Sequence, residues 1–232
     1  AEKGAVITSE MEIFCKVCPA HIIAVTGSDG KTTTTTLIGK MLEEQGHKVW
    51  VGGNIGTPLL SKTPLMKSTD FAVLELSSFQ LHTMTAAPEI AVITNISPNH
   101  LDMHKSYSEY IDAKKNIFKY QDKNSVLILN KDNPVTSEFS GNGETIFFSR
   151  SNTSADVYAA ADGFIIYKGN PVLNISDIKI PGMHNVENYM AAIAAVRSFV
   201  SDEAIVSVAK SFGGVEHRIE FVRNFNGVSY YN

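Results

Sequence analysis

The apolar residues of this chain first occur in short unbroken runs, each ended by glycine or by a polar turn. His21-Ile-Ile-Ala-Val-Thr26 is such a run, of the kind buried on both faces of a parallel sheet. It predicts a first strand that enters Gly27-Ser-Asp-Gly30 and then a helix from about Lys31 to Gln45, with Gly46 as its stop. Further strands are predicted at Lys48–Val51, Phe71–Glu75, Ile90–Thr94 and Val126–Leu129, with a helix at Tyr107–Tyr120 between the last two. Strands alternating with helices predict an α/β fold: a doubly wound, mainly parallel sheet with helices on both faces.

The pattern changes after Glu144. Short runs at Ile146–Phe148, Val157–Ala159, Phe164–Tyr167 and Val172–Ile175, with Gly169-Asn170 as a tight turn, predict a small antiparallel β appendage. Helices follow at Asn185–Val200 and Asp202–Phe212, the second N-capped by Ser201. After Gly213-Gly214, a last hairpin pairs Arg218–Arg223 with Val228–Tyr231 across Asn226-Gly227.

Composition changes this picture little. At 44% hydrophobic and 19% charged residues the chain is globular, and a net charge of -4 gives no basic signal for nucleic acid. No apolar run approaches the ~18 residues of a membrane span, and the start has no signal-peptide layout. A cytoplasmic monomer is expected. Cys15 and Cys18 form a lone C-x-x-C upstream of the first clear strand and are read as ordinary thiols. The first residues offer no partner for their apolar side chains, and the chain stops at an apparent strand end, so a piece of a longer enzyme is expected.

The chemistry concentrates after the first strand. In Thr26-Gly-Ser-Asp-Gly-Lys-Thr-Thr33, glycines let backbone N–H groups approach phosphate oxygens and a helix N-terminus adds partial positive charge. Lys31 would neutralise the β/γ end, and the Thr32 hydroxyl can hold Mg²⁺. The general phosphate-loop pattern has glycine where this chain has Val25, so the loop is the shorter G-x-x-G-K-T. Such a loop needs an acidic partner for the metal at the end of a neighbouring strand. Phe71-Ala-Val-Leu-Glu75 supplies one.

These residues resemble the Mur ligases, the ATP-dependent amino-acid-adding enzymes of peptidoglycan synthesis. Leu74-Glu-Leu-Ser-Ser-Phe-Gln-Leu81 and Gly53-Asn-Ile-Gly-Thr-Pro58 look like the branch that joins D-glutamate to UDP-N-acetylmuramoyl-L-alanine. Asn95-Ile-Ser-Pro-Asn-His-Leu-Asp102, Ala113-Lys114, His184-Asn-Val-Glu-Asn188 and His217-Arg218-Ile-Glu220 follow in the family's order. The resemblance implies three stretches. Residues 1–20 would be the tail of an N-terminal UDP-binding domain, 21–215 the central ATP-binding domain, and 216–232 the truncated start of a C-terminal amino-acid-binding domain.

The implied reaction passes through an acyl phosphate, made from the substrate carboxylate and ATP and opened by the amine of D-glutamate. Implied roles follow. Gly27, Ser28, Asp29, Gly30, Lys31, Thr32 and Thr33 cradle ATP, Asn185 and Asn188 reach adenine, and Arg218 meets the phosphates. Thr32 and Glu75 hold a first Mg²⁺, and His100 holds a second near the reacting carboxylate. Asn54, Ser77, Ser78, Gln80 and His100 approach the muramoyl substrate. Asn99 stands where many relatives have aspartate and receives no role.

The resemblance also implies a lysine here that is carbamylated by CO₂ and helps to hold the second Mg²⁺, and Lys114 or Lys115 could serve. Lys114 and Lys115 are adjacent, and helical geometry separates them. At ~100° per residue, the stripe of Tyr107, Tyr110, Ile111, Ile117 and Phe118 is centred within ~10° of Lys114, and Lys115 lies ~90° away. Burial there lowers the pKa and favours the neutral amine that CO₂ needs. His21, His47, His82 and His104 are read as structural or surface residues. Three other readings stay open: a related ligase with another amino acid or a folate acceptor, a simple P-loop kinase or NTPase, and a nucleotide-binding module that does not turn over alone.

Overall fold

The computed structural model describes residues 8–98, 104, 106–215 and 221–231. In chain order, helix α1 (Glu10–Val17) precedes β1 (His21–Thr26), α2 (Lys31–Glu44), β2 (Val49–Gly53), β3 (Phe71–Glu75) and the short α3 (Ser78–Leu81). Next come β4 (Ile90–Ile93), α4 (Tyr107–Lys119), β5 (Val126–Asn130), β6 (Glu144–Ser149), β7 (Val157–Ala159), β8 (Phe164–Tyr167) and β9 (Asn170–Asn174). Helices α5 (Met183–Val196) and α6 (Asp202–Ser211) and the hairpin β10 (Phe221–Phe225) and β11 (Val228–Tyr231) complete it.

One sheet runs in the order β2-β3-β1-β4-β5-β6-β7-β8-β9, parallel from β2 through β7 and antiparallel thereafter. The alternation along each strand explains the two cores. On β1, Ile23 and Val25 face a cluster with α2, α5 and α6, while Ile22 and Ala24 face one with α1 and α4. The alanines of α5 at 191, 192, 194 and 195 are all buried, which lets this helix lie close to its neighbours. Hence the predicted doubly wound α/β architecture is present, with helices on both faces.

Four details differ from the sequence reading. First, Ile146–Phe148 is not part of an antiparallel appendage. It lies in β6, parallel to β5 with Ile128 opposite Ile146, so the antiparallel strands continue the main sheet. A parallel neighbour needs a crossover, usually a helix. Here residues 131–143 cross with only a single 3₁₀ turn (Thr136–Glu138), which leaves no helical signature.

Second, the hairpin turn lies one residue earlier, at Lys168-Gly169, both with positive φ (45° and 84°), because Tyr167 pairs with Asn170. Third, α5 stops at Val196 rather than Val200. Fourth, the first residues do have apolar partners. Met11 and Phe14 of α1 are buried in the second core. Glu12, also on α1, accepts hydrogen bonds from Lys16 Nζ (2.8 Å), Thr85 Oγ1 (2.5 Å) and Thr85 N (3.3 Å). Led by the Lys16 bond, these hold its carboxyl down at about 2.

Other local signals act as read. Gly46 (φ 95°) ends α2 in a Schellman arrangement, with His47 N donating to Leu42 O (3.0 Å) and Gly46 N to Glu43 O (2.9 Å). Ser201 Oγ caps α6 by accepting from Ala204 N. Among the described residues, no helix is long and apolar enough to cross a membrane.

Candidate functional site

The site lies outside the carboxyl ends of β1, β3 and β4. Ligands of open α/β sheets bind at such a place, where strand order reverses, as it does about β1. The chain leaves β1 through Gly27 (φ 153°) and Gly30 (φ 78°). A Cβ on Gly27 would stand 1.9 Å from Thr94 Oγ1, and one on Gly30 2.3 Å from Asn188 Oδ1, so neither position has room for a side chain. The first-turn N–H groups of any α-helix lack an intrahelical partner, and Gly30 gives those of α2 no side-chain cap bond.

The loop is pinned to the end of β4. Ser28 N donates to Asn95 O (2.9 Å), Asp29 N to Asn95 Oδ1 (3.0 Å), and Thr94 Oγ1 to Asp29 O (2.5 Å). Lys31 Nζ folds back onto Gly27 O (3.0 Å) and Ser28 O (2.9 Å). Thr32 is buried and Thr33 half-buried on the first turn of α2.

Glu75 ends β3, in register with Val25 of β1 and Gly53 of β2. Its Oε1 accepts from Asn54 Nδ2 (2.9 Å), while Oε2 is buried with no hydrogen-bond partner among the described residues. A buried carboxylate oxygen left unpaired costs free energy, and a bound cation would satisfy it. The donor set fits Mg²⁺, which typically takes one or two carboxylates and fills its octahedron with phosphate oxygens and water. No cluster of three His, Cys, Asp or Glu residues exists among the described residues.

Lys114, on α4, is 2% exposed. Its Nζ donates to Gly27 O (2.7 Å), lies 3.3 Å from Thr26 Oγ1, and sits 4.8 Å above the Tyr110 ring. Burial first, then the charge of Lys31, pushes its pKa down to about 7, against the pull of Asp29 and Glu75. Lys115 instead pairs with Asp112 (3.8 Å) at the surface and lies over Phe139. The helical-wheel distinction between the two lysines therefore matches their positions.

The short helix α3 opens with a capping box. Ser77 Oγ accepts from Gln80 N (3.3 Å), and Gln80 Oε1 accepts from Ser77 N (2.9 Å). The box holds Ser77 and Ser78 at the edge of a cavity of about 290 Å³, lined also by Gly27, Lys31, Asn54, Glu75, Phe79, Tyr110 and Lys114. Gln80 is not among its walls. It lines a separate cleft with Ser9, Glu10 and Met11 of the α1 end and with Gly53, Gly56 and Pro58.

Asn185 and Asn188 are buried on the first turns of α5, directly behind the phosphate loop. Their amides bond to protein: Asn188 Oδ1 accepts from Thr34 Oγ1 (3.3 Å), Asn188 Nδ2 donates to Asn185 Oδ1 (3.2 Å), and Asn185 Nδ2 donates to Pro181 O (2.6 Å). His100, Asn99, His217, Arg218 and Glu220 lie outside the described residues.

Two residues escape the sequence reading, one in the cavity wall and one behind it. Tyr110, which counts there only as apolar, places its OH 2.9 Å from Ser28 Oγ. Its position one helical turn before Lys114 is the available signal. His104, read as bland, is buried with Nε2 2.9 Å from Ser78 Oγ. The cysteines take no part: burial pushes the Cys15 thiol up to about 12 and raises Cys18, the reverse of what a reactive thiolate needs.

Residues 25–196 match the family model of the Mur ligase middle domain. The chain is 56% identical, over all of its length and 51% of the relative's, to UDP-N-acetylmuramoylalanine--D-glutamate ligase of Acetivibrio thermocellus. It is 58% identical to the enzyme of the same name from Ruminiclostridium cellulolyticum, over 99% of this chain and 50% of that one. It thus spans about half the length of the curated relatives it matches. Among solved structures, MurF from Acinetobacter baumannii superposes with a TM-score of 0.72 at 23% identity, covering 91% of this chain and 50% of that one. At that identity the likeness speaks for the fold alone. By its middle-domain match and these relatives, the chain belongs to the Mur ligase family.

Proposed function

We propose that this chain supplies the ATP-handling centre of a ligase that joins D-glutamate to UDP-N-acetylmuramoyl-L-alanine through an acyl phosphate, in peptidoglycan precursor synthesis. The observation that carries the proposal is Glu75 Oε2, without a hydrogen-bond partner among the described residues and buried in one cavity with Lys31 and Lys114 beside a helix N-terminus that has no side-chain cap. An acid and two amines in one cavity beside a helix N-terminus suit the transfer of a phosphoryl group to a carboxylate. The names of the relatives supply the substrates.

In this reading Lys31 and the N–H groups of the first turn of α2 take the phosphates, and Lys31 follows the charge that builds during transfer. Thr32 and Glu75 would hold Mg²⁺, which when bound supplies Lewis-acid neutralisation of phosphate oxygens. Asn54 keeps the Glu75 carboxylate turned through its 2.9 Å bond. Ser77 and Ser78 face the acceptor, while Gln80 would meet it from the neighbouring cleft. Asn185 and Asn188 support the loop from behind and stand on the side assigned to adenine.

Lys114, half neutral near pH 7, can add CO₂ at Nζ, releasing one proton and replacing an amine with a carboxylate. That carboxylate and His100 form the proposed second metal position. Arg218 is proposed for the phosphates. Residues 1–20, 21–215 and 216–232 are proposed as the tail of a first domain, the central domain and the start of a third. A cytoplasmic monomer is the proposed setting.

The test is ATP-dependent ligation by the intact protein containing this chain, with D-glutamate compared against L-glutamate, glycine and diaminopimelate on the alanyl acceptor. Selective use of D-glutamate is expected, and its rejection would overturn the assignment. A second reading rests on the length comparison: since the chain spans about half of each relative, it alone binds nucleotide without turnover. Sustained ADP release by the chain alone, with both substrates present, would refute that reading.

A further inference from the structure

Ser78 lines the cavity but is only 4% exposed, and its Oγ has a partner behind it, His104 Nε2 at 2.9 Å. The imidazole is itself only 6% exposed. Its plane stacks on Phe79 (centroids 5.1 Å apart, 12° between planes) and meets Tyr110 edge-on (5.3 Å, 69°). The two contacts fix the plane of the ring, and in that plane Nε2 lies 2.9 Å from Ser78 Oγ.

A hydroxyl has one hydrogen to give and lone pairs to receive with. If Nε2 accepts that hydrogen, Ser78 shows the cavity lone pairs only. If Nε2–H donates to Oγ, the hydroxyl hydrogen is released toward the cavity. Lys31 lines that cavity, and the carboxylate acceptor proposed for it needs donors. We propose that His104 is a positioning residue that donates Nε2–H to Ser78 Oγ, so that Ser78 presents a fixed O–H donor to the anionic group of the acceptor. This rests on the reading that the cavity takes the carboxylate acceptor during ligation.

A merely structural role for His104 would act differently. Tyr110, against which the ring packs, holds Ser28 of the phosphate loop (2.9 Å). Loss of packing would travel through Tyr110 and disturb nucleotide binding as much as acceptor binding.

The experiment is a double-substitution cycle in the intact protein: His104→Phe, Ser78→Ala and the pair, with kcat/KM measured separately for acceptor and for ATP. His104→Phe keeps an aromatic ring and removes the donor. It is expected to lower kcat/KM for the acceptor at least about tenfold, with KM for ATP changed less than about twofold. In the Ser78→Ala background the same change is expected to cost less than about twofold. His104→Gln, whose amide N–H can replace the donor, is expected to recover most of the loss. Equal losses in both backgrounds, or a matching rise in KM for ATP, would overturn the proposal. If His104→Phe does not fold, His104→Leu carries the same cycle. An unaltered protein that rejects D-glutamate would remove the functional reading and this proposal together, whereas an active protein with additive losses removes only the proposal.

Discussion

Lys114 allows the sharpest physical test, because a lysine at 2% exposure pushed down to about 7 must leave a mark on stability. The unfolded chain holds this proton up to about pH 10.5, while the folded protein releases it near pH 7. Between those values the unfolded state binds more protons, so stability rises with pH. From pH 7 to pH 10 the integrated effect is roughly 3 kcal/mol, at ~1.4 kcal/mol per pH unit tapering at both ends. Lys114→Met keeps the stem and removes the titrating group, so it should remove that slope.

The assay is urea unfolding at pH 7, 8, 9 and 10 in CO₂-free buffer, comparing the difference between the two proteins so that other groups cancel. The variant should be the more stable near pH 7, with the advantage shrinking toward pH 10. A constant difference across the range would refute the buried-amine reasoning. So would a difference that grows with pH.

Other outcomes follow from single contacts. Glu75→Gln removes a charge whose Oε2 has no hydrogen-bond partner among the described residues, so thermal stability should hold or rise. The Mg²⁺-dependent part of ATP affinity should fall about 10–100-fold by calorimetry. Gly30→Ala places a Cβ 2.3 Å from Asn188 Oδ1 at φ 78°, and should cost about 1–3 kcal/mol in urea titration together with ATP binding. Glu12, held down at about 2 from an ordinary 4.5, contributes stability that is present above pH 4.5 and lost as pH falls through about 2. Glu12→Gln should therefore flatten the acid limb of a stability profile. Ser201→Ala should cost about 1 kcal/mol by loss of the α6 cap.

The parallel half of the sheet is legible in the sequence because its strands are short apolar runs ending in glycine or a carboxylate, as at His21–Thr26 and Phe71–Glu75. The choice between the lysines is legible for a related reason: a helix with one apolar face states which residue is buried. Strand β6 is not legible as parallel because its crossover contains no helix, and pairing direction leaves no local trace in Ile146–Phe148. Helix α1 goes unpredicted although Ser9 and the acidic Glu10 and Glu12 give it an ordinary N-terminus. The functional site divides likewise. Phosphate-loop residues follow a spacing rule, whereas His104 and Tyr110 act through contacts with Ser78 and Ser28 that lie 26 and 82 positions away in sequence. Gln80 lines a separate cleft, and the capping box that makes it recognisable in Ser77–Gln80 also ties its side chain to Ser77.

The most direct measurement of carboxylate activation is isotope transfer in the intact protein. The alanyl acceptor is prepared with ¹⁸O in its carboxylate and turned over with ATP, Mg²⁺ and D-glutamate, and the phosphate released is weighed by mass spectrometry. Attack of the acceptor carboxylate on the γ-phosphate delivers one ¹⁸O into each phosphate, and that is the expected result. Ligation that releases phosphate free of ¹⁸O would contradict the acyl-phosphate route and, with it, the proposed roles of Lys31, Glu75 and Lys114.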